Sequence, residues 1–286
     1  MSSKHNNSLL VLALLTIDGL HFVFARALHD HLHPVTSAVY VLGTATLMMA
    51  LFAANQRRFQ LETFRRHFWF FLAIGGLVAI GTTINYTVVE YVDPGVASLL
   101  AQTSILFGVG FGVLWLRERL TRLQGIGAAV AIVGVGIITF QPGDFLRLGS
   151  VLVIGSAGFY AFHSAIVKRY GGDIEFVEFF LWRLVTTTGF LFLSAAYQGL
   201  LVLPTEPVAI GLLALTAIVD VMISRTLYYL SLRRLSISIL SLTLTLSPLV
   251  AILWSLILFQ TWPTPQGLLG GAAVLMGVGI VTAKRS

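Results

Sequence analysis

The 286-residue sequence contains no cysteine. That absence excludes a disulfide framework, a Cys-ligated zinc site and a thiol redox motif. Charge is scarce too: Asp, Glu, Lys and Arg make up 10% of the chain, where a soluble domain carries about a quarter. So little polar surface cannot coat one large or two small domains in water. There is no Gly-rich phosphate loop, no Ser/His nucleophile motif and no HExxH pair. The sequence signatures of phosphoryl transfer, acyl transfer and zinc hydrolysis are therefore missing, and no cofactor is called for.

What the chain has in abundance is apolar surface. Hydrophobic residues account for 57% of it, and the mean hydropathy is +0.89. A helix needs about 20 mostly apolar residues to cross a bilayer. Segments of that kind fall at 9–25, 35–54, 68–89, 95–116, 123–140, 149–167, 176–198, 208–231, 237–259 and 266–283. The expected fold is thus all-α and polytopic, with ten transmembrane helices and short loops. The run 9–25 follows a short polar segment and lacks a small-residue cleavage site, so it is read as the first span.

The basic residues order these spans. With the N-terminus on the inside, fourteen of the 18 Lys and Arg residues fall on inside segments. Only Arg26 and Arg147 fall outside, and Arg183 and Arg225 lie within spans. This bias predicts that both termini are cytoplasmic. The pI near 9.9 then reflects topology, and nucleic acid is not an expected partner.

The chain also repeats. At an offset of 143 residues, Thr83 and Tyr86 meet Thr226 and Tyr229, Ser98 meets Ser241, Ser104 meets Ser247 and Gly127 meets Gly270. The segment Gly134-Val135-Gly136-Ile137 meets Gly277-Val278-Gly279-Ile280. Thr44 and Thr46 match Thr186 and Thr188 at offset 142, and Gly19 matches Gly158 at offset 139. We expect two five-helix repeats, 1–143 and 144–286. An odd number of spans per repeat requires the second to be inverted, an arrangement that recurs in transporters.

Two stretches carry a resemblance: YVDPGVASLLAQTSILFGVGFGVLWLRERLTRLQGIGAAVAIVGVGIITF and LRRLSISILSLTLTLSPLVAILWSLILFQTWPTPQGLLGGAAVLMGVGIVTAK. Each is a fourth-to-fifth helix hairpin, and together they resemble the EamA-type members of the drug/metabolite transporter superfamily. The Glu118 of RERL fits that pattern, while its second-half counterpart, Thr261, has lost the charge. Within the superfamily the chain is most similar to the YddG-type exporters of aromatic and other amino acids. The resemblance implies a multi-pass protein of the bacterial inner membrane that exports a small metabolite, with the third, fourth, eighth and ninth helices framing its cavity.

Polar faces within spans are the candidate site, since they would be costly toward lipid. The third span carries Thr82, Asn85 and Tyr86, and the eighth Arg225, Tyr228 and Tyr229. Ser98 and Gln102 lie on the fourth, Ser241 and Thr245 on the ninth, and Tyr160, His163 and Ser164 on the sixth. Such a lining suits an amphipathic zwitterion, and Arg225 either holds a carboxylate through its fork of donors or pairs with Asp220 through water or with Asp18. Asp18, His21 and Asp220 are the proton-coupling candidates. Asp18 and His21 are three apart and should share a face, either as a relay or as a hydrogen-bonded pair. Asp220 and Arg225, five apart, should point to different faces. Arg183 is expected to pair with Glu178 or Glu175.

Other expectations are structural. Pro248 should free the carbonyl of Leu244 inside the ninth span. Gly108 and Gly112, and Gly267 and Gly271, have helix-packing spacing, and those of the tenth span would serve a dimer or internal packing equally. A monomer in the lipid bilayer, working on a small-molecule substrate, suffices. The outer histidines His29, His31 and His33 form a solvated loop before a metal site. Two alternatives stay open: a proton-coupled multidrug or organic-cation exporter using Asp18 or Asp220, and a nucleotide-sugar-type transporter, for which Arg225 is thin support.

Overall fold

The computed structural model describes residues 10, 12–115, 117, 121–140, 148–172, 174–234 and 244–283. Among them the chain is helical, with no strand. The principal helices are α1 (Leu12–His29), α2 (Pro34–Asn55), α3 (Phe68–Val88), α4 (Pro94–Leu114), α5 (Arg122–Thr139), α6 (Leu148–Tyr170), α7 (Phe176–Tyr197), α8 (Pro207–Tyr228), α9 (Ser247–Phe259) and α10 (Pro265–Ala283). Nine of these, all but α9, are long and apolar enough to cross a membrane. The predicted ninth span begins at 237, and its first residues, with Ser241, lie outside the described residues. At about 1.5 Å per residue, helices of 18 to 23 residues match a hydrocarbon core of about 30 Å. No more than 44% of any span is buried within the bundle. The apolar remainder, with side chains such as Leu47, Leu193 and Leu269 more than 60% exposed, is a lipid-facing surface.

Local chemistry sets the helix starts. Asp93 accepts from Val96 N at 3.0 Å ahead of Pro94, the first residue of α4. Burial pushes the Asp93 carboxyl up from its ordinary value, while the N–H groups of Val96 and Gly95 oppose the shift. Thr121 and Gln124 form a reciprocal capping box on α5, and Glu175 accepts from Val177 N to open α7. His33 caps α2 and His31 pairs with Glu206 at 3.0 Å, so two of the outer histidines act within the fold.

Three irregularities shape the interior. α1 turns at Gly19–Leu20 before resuming at His21, and it continues to His29, past the predicted end at 25. A Cβ on Gly19 would lie 2.9 Å from Ser247 O and Val250 Cβ, so α1 and α9 touch there. α8 opens into a π-helix over Ala217–Ile223. Pro248 sits in the first turn of α9, just after helical Leu244–Thr245 and a turn at Leu246. The carbonyl it deprives, Leu244 O, accepts from Gln102 Nε2 at 3.3 Å.

The two halves meet through residues that the sequence offset equates. Thr46 and Thr188 share a hydrogen bond of 2.8 Å between α2 and α7. Gly127 packs against Gly277 and Gly134 against Gly270, so α5 and α10 run antiparallel with backbones in contact. Gly19 meets Val250, and its match Gly158 meets Phe107, the residue equivalent to Val250. Gly108, by contrast, faces open space within 4 Å. The close crossing belongs to glycines seven apart on α5 and α10; of the fourth-span pair, Gly112 is buried.

Candidate functional site

A cavity of about 310 Å³ lies between α1, α3, α4, α6, α8 and α9. Asp18 and His21 reach it from α1, Asn85 from α3, Ser98 and Gln102 from α4, and Tyr160 from α6. α8 contributes Asp220 and Arg225. Eight of the thirteen residues that the sequence nominated are thus brought together. A second space of about 40 Å³ adjoins it, sharing His21, Tyr160, Asp220 and Arg225 and adding Thr82, Tyr86 and Arg183. Thr82 and Tyr160 close the boundary with a hydroxyl–hydroxyl bond of 2.9 Å.

The remaining nominations fall elsewhere. Tyr86, 2% exposed, packs edge-on against the His21 ring and lies behind the larger cavity. Thr245 is buried and lines neither space, although its neighbours Leu244 and Ser247 line the larger one. His163 also lines neither, and its Nε2 is buried without a partner among the described residues. The side chain of Tyr229 lies outside the described residues.

A chain of hydrogen bonds crosses the site. His21 Nδ1 lies 2.8 Å from Asp220 Oδ2, and His21 Nε2 lies 3.2 Å from Asn85 Nδ2. Since the amide nitrogen only donates, Nε2 accepts and the ring proton sits on Nδ1, given to the carboxylate. Asn85 Oδ1 in turn accepts from Ser156 Oγ, which also lies 3.2 Å from Gly81 O. His21 is therefore oriented from both sides by partners on α3 and α8.

This network corrects two readings. His21 bonds to Asp220, 199 residues away, and not to Asp18. The turn at Gly19–Leu20 interrupts the helical register between the two α1 residues. Asp220 and Arg225 line the same two cavities and do not point to different faces. A regular α-helix would set residues five apart well round its axis, but i→i+5 bonding widens the turn, so such a step closes about one turn.

Arg183 departs from expectation as well. Glu178 accepts from Thr63 at 2.6 Å and Glu175 pairs with Arg58 at 2.9 Å, so neither takes Arg183. Its guanidinium instead lies 5.2 Å over the Phe180 ring, and its Nε has no hydrogen-bond partner among the described residues. Ser156, Ser224 and Ser247 also line the cavity. Ser156 precedes Tyr160 by four residues, one helical turn, so the sixth-span stripe could have been extended to it.

The arrangement offers both signs of charge, several hydroxyls and an aromatic ring in a mostly apolar wall, as small-ligand sites do. Asp18, Ser247 and Arg225 line the same cavity. No hydrogen bond or ion pair holds Arg225 among the described residues. No cluster of three or more His, Asp or Glu with metal-binding geometry occurs among them either.

Comparison with known proteins follows from this geometry. The EamA-like transporter family matches residues 7–140 and 147–283. An uncharacterized transporter, YdfC, from Bacillus subtilis (strain 168) is 29% identical over 65% of this chain and 62% of its own length, just under two thirds. A probable terminal-alkyne amino-acid exporter of Streptantibioticus cattleyicolor is 29% identical over 73% of this chain and 70% of its own. A riboflavin transporter of Vibrio cholerae serotype O1 is 30% identical over 42% and 40% respectively. One crystal structure superposes at a TM-score of 0.66 over 96% of this chain and 97% of that one. At 15% identity that likeness speaks to the fold alone.

Proposed function

The chain belongs to the EamA-like transporter family, and from that premise we propose that it exports small amphipathic metabolites, amino acids foremost, across the bacterial inner membrane. The observation that carries this reading is Arg225, a guanidinium held by no hydrogen bond or ion pair among the described residues and facing a cavity that also presents Asp18, Tyr160 and several hydroxyls. A cation within a membrane span is costly without a partner, and a carboxylate ligand would pair bidentately with the exposed Arg225 guanidinium. The amino-acid exporter among the relatives supports the same class.

We further propose ten spans in two repeats, 1–143 and 144–286, inverted about an axis in the membrane plane, with both termini cytoplasmic. The distribution of Lys and Arg supports the orientation. Antiparallel α5 and α10, touching through equivalent glycines, and the Thr46–Thr188 pair support the inversion. Halves related in this way can rock about a central site and open it to each side in turn.

The test is uptake into proteoliposomes containing the full chain, with a panel of amino acids, cationic dyes, riboflavin and nucleotide sugars. Saturable amino-acid transport reduced at least tenfold by Arg225→Gln is the expected result. Saturable dye transport with no amino acid moved would refute it in favour of a proton-coupled cation exporter, the second reading, which the Asp18 carboxylate in the cavity favours. Repeating the panel with and without a pH gradient separates exchange from facilitation. Loss of gradient dependence in His21→Gln would put the exchanged proton on the His21–Asp220 pair.

A further inference from the structure

Resting on the amino-acid reading above, we infer that Asp18 and Arg225 form a two-point clamp for a zwitterion, Asp18 taking the ammonium group and Arg225 the carboxylate. Two carboxylates line the cavity, and they are not equivalent. Asp220 is 8% exposed and its Oδ2 accepts the Nδ1 proton of His21 at 2.8 Å. His21 is itself held by Asn85, and Asn85 by Ser156. Displacing Asp220 onto a ligand would therefore break a chain of three hydrogen bonds. Asp18 belongs to no such chain. It is partly exposed and lines the cavity beside Ser247.

Asp18 and Arg225 are close enough to act on one another, yet no ion pair within 4 Å joins them among the described residues. A direct salt bridge would have sealed the site. Instead a gap separates one carboxylate from one guanidinium, both lining the same wall of about 310 Å³. An α-amino acid carries its ammonium and carboxylate on one carbon, so a single small molecule can satisfy both. A lone organic cation would neutralise Asp18 and leave Arg225 uncompensated; a lone anion would do the reverse. Each such half-match leaves one charge of the cavity without a counter-charge, which disfavours binding relative to the zwitterion. The clamp thus selects zwitterions over either kind of ion.

The experiment uses the full chain in phosphatidylethanolamine/phosphatidylglycerol vesicles. Labelled phenylalanine and alanine are each competed by the unlabelled amino acid, its N-acetyl derivative and its methyl ester. In the unmodified protein the free amino acids should compete at least about 100-fold better than either derivative, as expected of a site built around paired polar groups. Asp18→Asn should lose most of the preference over the N-acetyl compound, and Arg225→Gln most of that over the ester. Amino-acid transport competed equally by the N-acetyl compounds would overturn the clamp and leave the exporter reading intact. Ester or dye transport without any amino-acid transport would overturn both. Because the derivatives are compared on the unmodified protein, the outcome does not depend on either variant folding.

Discussion

Gly134→Ala tests whether α5 and α10 touch as described. A Cβ at this position lies 2.6 Å from Gly270 O and 2.6 Å from Val274 N, both backbone atoms that cannot rotate away. Unstrained contact begins near 3.5 Å, so the helices must part by roughly 0.9 Å. A gap of that size forfeits about a quarter to a half of each dispersion well along the crossing, and overpacking of this kind costs about 1–3 kcal/mol. Gly136→Ala is the internal control, since a Cβ there meets nothing within 4 Å. It should be neutral or slightly stabilising, because alanine favours a helix by about 1 kcal/mol over glycine. Thermal unfolding in detergent should therefore place Gly134→Ala at least about 2 °C below Gly136→Ala. Gly270→Ala should reproduce the loss, and the double variant should fall short of the sum, because one parting of the helices relieves both clashes. If Gly134→Ala melts with Gly136→Ala, the close crossing is wrong.

Gln102→Leu should leave Leu244 O unsatisfied and destabilise by about 1–3 kcal/mol. Pro248→Ala restores an N–H four residues on, so the loss should shrink in that background, and a double-mutant cycle by thermal unfolding measures the difference. His21→Ala strips Asp220 of its partner and should cost about 3 kcal/mol or more, whereas Asp220→Asn combined with His21→Ala should recover part of it; equal melting of single and double variants would refute the pairing. Asp93→Ala removes the cap of α4 for about 1 kcal/mol, and Asp93→Asn should retain most of it in the same assay.

Nine of the expected spans were legible because lipid imposes a length and a polarity that no soluble fold demands, and several residues that matched in self-comparison are packing residues. Gly127, Gly134, Gly270 and Gly277 stood out by self-comparison and turned out to be the crossing itself. Gly108 and Gly112 stood out by spacing alone, which cannot say whether a helix face looks at protein or at lipid. The relation of Asp220 to Arg225 was illegible for a different reason. Helical-wheel reasoning assumes an unbroken α register, and the π segment Ala217–Ile223 breaks it between the start of α8 and Arg225. Asp18 and His21 do line one cavity, as their spacing suggested, but the partner of His21 is Asp220 on another helix, which no period along α1 could reveal.

The frame and the site differ in their symmetry. Contacts between equivalent positions come in mirrored form: Thr46 with Thr188, Gly127–Gly277 mirrored by Gly134–Gly270, and Gly19–Val250 mirrored by Gly158–Phe107. The cavity lining does not follow suit. By the same offsets His21 corresponds to Tyr160, Arg225 to Thr82 and Asp18 to Ala157. The positions equivalent to the hydrogen-bonded Thr82 and Tyr160 are Arg225 and His21, which line the same cavity and share no hydrogen bond among the described residues. Asp220, whose counterpart is Leu77, takes up the imidazole and leaves Arg225 turned to the cavity. A symmetric frame lets two states of similar energy exchange by the same contacts in opposite roles. Under the alternating-access function proposed above, an asymmetric lining would hold a polar ligand in one orientation throughout that exchange, with charge recognition confined to α1 and α8. Transplanting charge into the first half, as in Thr82→Arg, should then impair transport and not create a second equivalent site, since no counterpart of Asp220 stands ready to occupy Tyr160.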